Sequence, residues 1–270
     1  MRYIHKLPPD GVLVVNAKDP NSQAIKNAPD IFVLGEKNYA ERGYKIVEYN
    51  KDADNALREK LRSVVRVTGA HNRENALAAY AVGNELCLSQ DIILQGLAEF
   101  QGIWRRMELV GQFHGDIPII SDYAHHPTAI KATLKAIKET YPVKRLVLAY
   151  QPHQHNRTKM LFGRFVEAFD EADVLIMNEI YDVAGRKEKN DETVSSWDLA
   201  KAIEARSKNK TVVYTQNLQE TKQQIKSLVQ PNDIIVIMGA GDIDSIAREL
   251  VFPDHHLHVY EESRTNHTYT

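Results

Sequence analysis

Short apolar runs alternate with amphipathic stretches along this chain, and the alternation becomes regular from about residue 108. Runs rich in Ile, Val and Leu are each followed by a stretch in which apolar residues recur at helical spacing. This alternation predicts a Rossmann-like α/β domain with a doubly wound, mostly parallel sheet, because right-handed crossovers place helices on both faces. The predicted strands are 117–121, 145–149, 174–177, 211–214 and 234–238, and the predicted helices lie near 128–141, 159–170, 196–206, 218–229 and 243–251.

The first hundred residues are less regular. A helix is predicted just after Gly69-Ala70-His71-Asn72, and a second runs from an N-cap at Ser89 to Gly102. No strand here opens into a glycine-rich phosphate loop. Before the helices, short strand-like runs occur at 12–16, 31–34, 45–49 and 64–68.

Length and composition narrow the class of protein. A chain of 270 residues favours two domains, which we place at 1–107 and 108–252, with a polar tail at 253–270. The net charge of −2 gives no electrostatic reason to expect nucleic acid or an anionic membrane as a partner. There is no signal segment and no apolar run long enough to span a bilayer, so we expect a cytoplasmic location. The single cysteine, Cys87, is predicted to be a small core residue of a helix.

The most informative stretch is Asp122-Tyr123-Ala124-His125-His126-Pro127. It follows a predicted strand and opens a predicted helix, which is the junction where open α/β sheets bind ligands. A carboxylate, a phenol and two imidazoles are presented together there. A pair of adjacent histidines is often only a solvated turn, but its position at a strand's carboxyl end favours a functional site.

Two other predicted strands also end in polar loops. The loop Gln151–Thr158 contains His153, and it places Arg157 near a helix start, where a guanidinium suits a carboxylate or a phosphate. A surface arginine is the alternative. The last strand ends in Gly239-Ala240-Gly241-Asp242, which allows close approach of the backbone to a ligand but lacks the spacing of a dinucleotide fingerprint.

Upstream, Asn72 and Asn75 are three residues apart, so both amides can emerge on one side of a helix's first turn. Two amides suit a purine edge, and N-capping by Asn72 is the structural alternative. Arg105 and Arg106 lie near the predicted domain boundary, where an arginine can form a hinge salt bridge or reach a phosphate or ribose.

Together, these motifs resemble the Mur ligases in order and spacing, over nearly everything from Leu7 to Leu250. Within the family they most resemble the branch that adds L-alanine. The matching segments are Gly69–Asn72 with Asn75–Ala79, Phe100–Gly102 with Arg105-Arg106, Asp122–Thr128, Gln151–His153 with Arg157-Thr158, Ala172-Asp173, Ile180-Tyr181 and Met238–Ile243.

The resemblance implies an enzyme of peptidoglycan precursor synthesis that uses ATP to join L-alanine to the lactyl carboxylate of UDP-N-acetylmuramate through an acyl phosphate. By position, it implies adenine-side contacts from His71, Asn72 and Asn75, and ribose or phosphate contacts from Arg106 and Asp122. The residues implied to face the amino acid are Tyr123, His125, His126, His153 and Arg157. Arg157 is then the candidate for the amino acid's carboxylate, and His125 or His126 for orienting or deprotonating its amine.

Departures from the family pattern bear on specificity. The family usually has an arginine after the His of Gln-Pro-His, where this chain has Gln154; Ser121 stands where an Asp is frequent, and Ala129 where a Glu is frequent. A related ligase that adds a different amino acid or a peptide is therefore an alternative.

The sequence has no Gly-Lys-Thr-Thr phosphate loop and no counterpart of the family's UDP-sugar-binding domain. We therefore expect residues 1–107 to be a remnant of the central ATP-binding domain and 108–252 to be the C-terminal ligase domain. The ligands of Mg²⁺ are expected in the missing N-terminal half, and we predict no metal site in this chain. An isolated chain of this kind should be inactive. A split enzyme and a non-catalytic nucleotide or amino-acid binding module are the alternatives.

Overall fold

The computed structural model describes residues 11–27, 45–182, 194–207 and 209–252. The chain divides into two compact units, with the division after Gln101. Within the described ranges, no helix combines the length and apolarity needed to cross a bilayer. The predicted strand at 31–34 and the predicted polar tail at 253–270 lie outside the described residues.

The first unit is a small parallel sheet with helices. Strand β1 pairs in parallel with β2, and a small core forms around Leu61, Leu77 and Leu94 with Tyr49 packed against it. The elements are β1 (Val12–Asn16), α1 (Pro20–Asn27), β2 (Lys45–Tyr49), α2 (Asn55–Val64), α3 (Ala70–Glu85) and α4 (Gln90–Glu99).

Two local predictions in this unit are wrong. The run 64–68 is not a strand, because α2 extends to Val64. Leu57, Leu61 and Val65 recur every four positions, which is helical spacing, and they pack into the small core. Cys87 is not a core residue. It lies just after the end of α3 with a φ of 58°, and its side chain is exposed. Ser89 caps α4 as predicted, by accepting a hydrogen bond from the Ile92 N–H.

The second unit contains a six-stranded sheet in the order β3-β4-β8-β5-β6-β7. All pairings are parallel except that of the edge strand β3 with β4. The strands are β3 (Glu108–Phe113), β4 (Ile117–Asp122), β5 (Arg145–Gln151), β6 (Val174–Asn178), β7 (Thr211–Thr215) and β8 (Asp233–Gly239). The helices are α5 (Pro127–Thr140), α6 (His155–Met160), α7 (Phe162–Val166), α8 (Ser196–Arg206), α9 (Leu218–Leu228) and α10 (Asp244–Val251). The single helix predicted near 159–170 is thus two shorter helices.

Both faces of this sheet are buried, which confirms the doubly wound α/β prediction. Alternate residues of β5 and β8 point to opposite faces. Leu148 and Val236 pack in a core with residues of α5, α7 and α8. Val147 and Ile235 pack in a second core with residues of α9 and α10. Such burial on two sides explains why these strands are continuous apolar runs.

The strand order places the candidate loops next to one another, at the carboxyl ends of the parallel strands. Strand β8 lies between β4 and β5, and the helices that follow β4 and β5 pack on one face while α10 packs on the other. The chain therefore leaves neighbouring strands in opposite directions at the carboxyl ends of β4, β8 and β5. In doubly wound sheets this reversal opens the ligand-binding crevice.

Candidate active site

The loop after β4, residues 123–126, is called the Tyr123 loop here. Asp122 anchors it: one carboxylate oxygen accepts the Met107 N–H and the other accepts the Ala124 N–H, both at 2.8 Å. Thr133 Oγ1 adds a weaker bond at 3.4 Å. Asp122 is 4% exposed, and burial raises the pKa of its carboxyl above the ordinary value despite these bonds. This geometry favours a positioning role for Asp122, and a direct contact to nucleotide stays a prediction.

The two histidines of the Tyr123 loop have different environments. His126 is the N-cap of α5, where its Nδ1 accepts the Thr128 N–H at 3.3 Å. His125 Nδ1 lies 2.9 Å from the Tyr123 carbonyl oxygen. Because that oxygen can only accept, Nδ1 carries the hydrogen and the lone pair of neutral His125 resides on Nε2. The capping role of His126 leaves its predicted catalytic role untested.

The surroundings of His125 favour its neutral form. Burial lowers the pKa of His125 below its ordinary value, and the nearby charges of Arg157, Arg106 and His126 lower it further. His125 is therefore a neutral base near pH 7, with cations close enough to attract an anionic ligand.

The loop after β5 carries His153 and Arg157. Arg157 lies in the first turn of α6, as predicted, and its Nη1 is buried with no hydrogen-bond partner among the described residues. The backbone on either side of His153 is tied to Tyr181 after β6, through Gln154 N–H to the Tyr181 carbonyl at 3.0 Å and Tyr181 N–H to the Pro152 carbonyl at 2.8 Å. The loops after β5 and β6 are thereby joined.

The turn after β8, residues 239–242, is called the glycine turn here. Gln151, at the end of β5, donates to Asp242 Oδ1 at 2.9 Å and accepts the Ile243 N–H at 3.3 Å. The space beside Gly241 is filled, since a Cβ built there would lie 2.4 Å from Gln151 Oε1 and 2.7 Å from Cγ of Tyr181. Only glycine brings the turn this close to its neighbours.

Aromatic and imidazole rings connect these loops. Tyr123 meets His125 edge-on with ring centroids 5.4 Å apart, and His125 lies 6.1 Å from His153. His153 stacks on Tyr181 at 5.6 Å. The row of four rings extends from the β4 loop to the β6 loop across the carboxyl edge of the sheet, and we call it the ring row. It brings together three predicted site residues, Tyr123, His125 and His153.

The remaining predicted residue of the second unit, Arg106, is exposed. Its guanidinium carbon lies 5.5 Å from the Tyr123 ring centroid. Arg106 therefore lies beside the ring row, with its charged group in contact with solvent.

His71, Asn72 and Asn75 lie in the first turns of α3, as predicted. Gly69, and not Asn72, is the N-cap of this helix. Asn72 instead donates from Nδ2 to the Thr68 carbonyl at 2.7 Å, which leaves its amide oxygen to accept, and Asn75 is exposed. Contacts from the Asn72 amide oxygen and the exposed Asn75 amide to adenine stay a prediction.

Sequence reasoning assigned no site role to Gln151 or Tyr181, and for Arg105 it offered a hinge salt bridge or a phosphate or ribose contact, not a link between two loops of the sheet. The signal for Gln151 and Tyr181 was present, since each lies at or just beyond the carboxyl end of a predicted strand. Arg105 has no such signal, because its carbonyl partners belong to a turn far along the chain. Among the described residues, no group of three or more His, Cys, Asp or Glu side chains is arranged to hold a metal ion.

Comparison with known proteins identifies the class. The family model described as Mur ligase, glutamate ligase domain, matches residues 105–241, and the chain belongs to the Mur ligase family. The match includes the Tyr123 loop, the β5 loop and most of the glycine turn.

Two curated relatives are each named UDP-N-acetylmuramate–L-alanine ligase. The protein of Pelotomaculum thermopropionicum is 37% identical over 258 residues, which cover 93% of this chain and 55% of the relative. That of Desulfotalea psychrophila is 38% identical over 268 residues, with the same two coverages. The chain thus spans about half the length of these relatives.

Solved structures agree on the fold. A UDP-N-acetylmuramate-alanine ligase from Thermotoga maritima is 28% identical with a TM-score of 0.55, over 74% of this chain and 40% of that one. A Mycobacterium tuberculosis folylpolyglutamate synthase complexed with ADP has a TM-score of 0.59, over 91% of this chain and 55% of that one. Its sequence identity of 15% limits that likeness to the fold.

Proposed function

We propose that this chain supplies the C-terminal part of an ATP-dependent ligase of peptidoglycan precursor synthesis. The reaction joins L-alanine to the lactyl carboxylate of UDP-N-acetylmuramate. Support comes from the family, from the names of the relatives and from the cationic, ring-lined edge of the sheet. Because the chain spans about half of those relatives, the complete activity requires residues beyond those in this sequence.

The observation that carries the proposal is the buried Nη1 of Arg157, next to the ring row, which has no hydrogen-bond partner in the part of the chain that the structure describes. A buried guanidinium nitrogen without an acceptor is costly, and a carboxylate offers two acceptor oxygens in matching geometry. We assign Arg157 to the carboxylate of the incoming amino acid. The rings of Tyr123 and His153 flank the same edge and restrict the space for the substrate's side chain.

His125 is assigned to the amine. An α-amino group is protonated at neutral pH and must lose a proton before it attacks. Neutral His125, with its lone pair on Nε2, accepts that proton. Burial, together with the Arg157 and Arg106 charges, lowers its pKa and favours the unprotonated ring beforehand. The amine then attacks the acyl phosphate, the new C–N bond forms and phosphate leaves.

ATP enters the scheme as the substrate that converts the carboxylate to an acyl phosphate, since an ionised carboxylate is a poor electrophile. In the first unit we assign the amides of Asn72 and Asn75, with His71, to an adenine, and in the second unit we separately assign Arg106 to a ribose or phosphate group. Exposed Asn75 and exposed Arg106 suit these roles. Mg²⁺ would neutralise charge on the transferred phosphoryl group, and its ligands are proposed to lie outside this chain.

L-Alanine binding by the chain itself tests the amino-acid site. Saturation-transfer NMR should detect L-alanine, and Arg157→Leu should abolish the signal. Arg164→Leu is the matched control, because Arg164 lies on α7 and, among the described residues, its side chain donates to the Thr128 hydroxyl and not to the ring row. Equal L-alanine signals from wild-type chain and Arg157→Leu would refute the assignment.

Turnover separates the catalytic proposal from the alternatives. We expect no ATP-dependent phosphate release from the isolated chain with UDP-N-acetylmuramate and L-alanine, because the sequence has no phosphate loop. Robust release would contradict this account. Preferential binding of another amino acid or a peptide would favour a related Mur ligase. Binding that never supports turnover, even with a supplied N-terminal half, would favour a binding module.

A further inference from the structure

We propose that Arg105 is a positioning residue that fixes the Tyr123 loop against the glycine turn. The inference rests on the proposed function in one respect, since that function supplies the substrate that these loops would bind. The contacts themselves belong to the second unit, whatever it binds.

On one side, Arg105 holds the glycine turn. Its guanidinium Nη2 donates to the carbonyl oxygens of Gly239 and Gly241, the latter at 2.9 Å. The side chain is buried, with only 6% of the residue exposed. Asp244 Oδ1 also lies 3.9 Å from its Nε. The buried guanidinium is therefore bonded to two main-chain carbonyls of one turn, with a carboxylate close by.

On the other side, Arg105 holds the Tyr123 loop. Its carbonyl oxygen accepts the Tyr123 N–H at 2.7 Å, and its guanidinium carbon lies 4.8 Å from the Tyr123 ring centroid. The Arg105 N–H donates to Glu108 Oε2 at 2.8 Å, which fixes the segment that carries it. A single residue thus connects the loops after β4 and β8, and through Tyr123 it places the first ring of the ring row.

This double role requires a guanidinium. Its Nη2 donates to two carbonyls while the delocalised guanidinium also lies against the Tyr123 ring, whereas a lysine ammonium is a compact charge that cannot do both. Arg106 provides the contrast. It is the next residue, it also lies beside the Tyr123 ring, and it is exposed.

Arg105→Lys and Arg106→Lys form a matched pair, because both keep the positive charge. In Arg105→Lys we expect amide hydrogen exchange of Tyr123 to accelerate roughly tenfold relative to Val147 in the core. We also expect the NMR-measured pKa of His125 to rise towards its ordinary value, because the released loop is less buried and moves away from the charge of Arg157. Arg106→Lys should change neither the Tyr123 exchange rate nor the fold.

Wild-type Tyr123 exchange and wild-type His125 titration in Arg105→Lys would overturn the inference. If that variant does not fold, the wild-type chain supplies the test through ¹⁵N spectra of its arginine side chains. Separate, slowly exchanging Nη signals are expected for Arg105, and a rapidly averaged signal would also overturn it. A wild-type chain that does not bind L-alanine would refute the proposed function. The hydrogen-exchange and NMR tests of Arg105 would still be valid.

Discussion

Gly241→Ala should disrupt the candidate site by adding a single methyl group. The new Cβ would lie 2.4 Å from Gln151 Oε1, 2.7 Å from Cγ of Tyr181 and 2.9 Å from its Cδ2. All three distances are below those that real Cβ atoms adopt. Tyr181 cannot retreat without giving up its stacking on His153, so we expect the ring row to be broken at that end.

The cost follows from overpacking. Forcing an extra carbon into a packed position typically costs about 1–3 kcal/mol, and Gly241 has two neighbours that must both move. Gly163→Ala is the matched control, because nothing lies within 4 Å of the added methyl group and the residue is in helix α7. Alanine in a helix is favoured over glycine by about 0.5–1 kcal/mol. The two substitutions should therefore change the free energy of unfolding in opposite directions.

Urea unfolding monitored by tryptophan fluorescence reports the unfolding of the second unit, since both tryptophans, Trp104 and Trp197, belong to that unit. Gly241→Ala should lower the free energy of unfolding and perturb the His153 ring signals by NMR. If it unfolds like Gly163→Ala and leaves His153 unperturbed, the packing described for the glycine turn is incorrect.

Three other experiments, two of them with control variants, test separate parts of the account. Asp233→Ala removes the bidentate ion pair of buried Asp233 with half-buried Arg145 and should cost about 2 kcal/mol by urea unfolding, whereas Glu167→Gln, at an exposed pair, should cost little. Arg157→Gln should raise the NMR-measured pKa of His125, while Arg157→Lys should not. Because the pKa of His125 in the folded chain lies below 6.5, the contribution of His125 to stability falls as the pH drops below 6.5. Asn75→Ala should weaken ADP binding, measured by calorimetry, without changing stability.

The regular part of the fold could be predicted from periodicity alone. Strands such as 145–151 and 233–239 are apolar and buried on both faces, so burial and sequence pattern coincide. Prediction failed where a short apolar run was ambiguous. The valines near 64 belong to the end of a helix and its exit, because their partners Leu77 and Leu94 come from later helices.

For the site, the strand-end rule located His125, His153 and Arg157, which share one edge because parallel strands end together. It could not assign different tasks to adjacent histidines. The cap formed by His126 and the hydrogen bond from His125 to a carbonyl depend on loop geometry. Arg105 was beyond reach for the same reason, since its role depends on a turn that only the folded sheet brings close.

The central claim is that the carboxyl edge of the second unit binds a small amino acid. The most direct measurement is a map of ¹H–¹⁵N chemical-shift changes as L-alanine is added to the labelled chain, with D-alanine as the stereochemical control. The account predicts saturable shifts confined to the Tyr123 loop, the β5 loop around Arg157 and the glycine turn, with much weaker shifts for D-alanine. Shifts scattered over other surfaces, or equal for the two enantiomers, would contradict it.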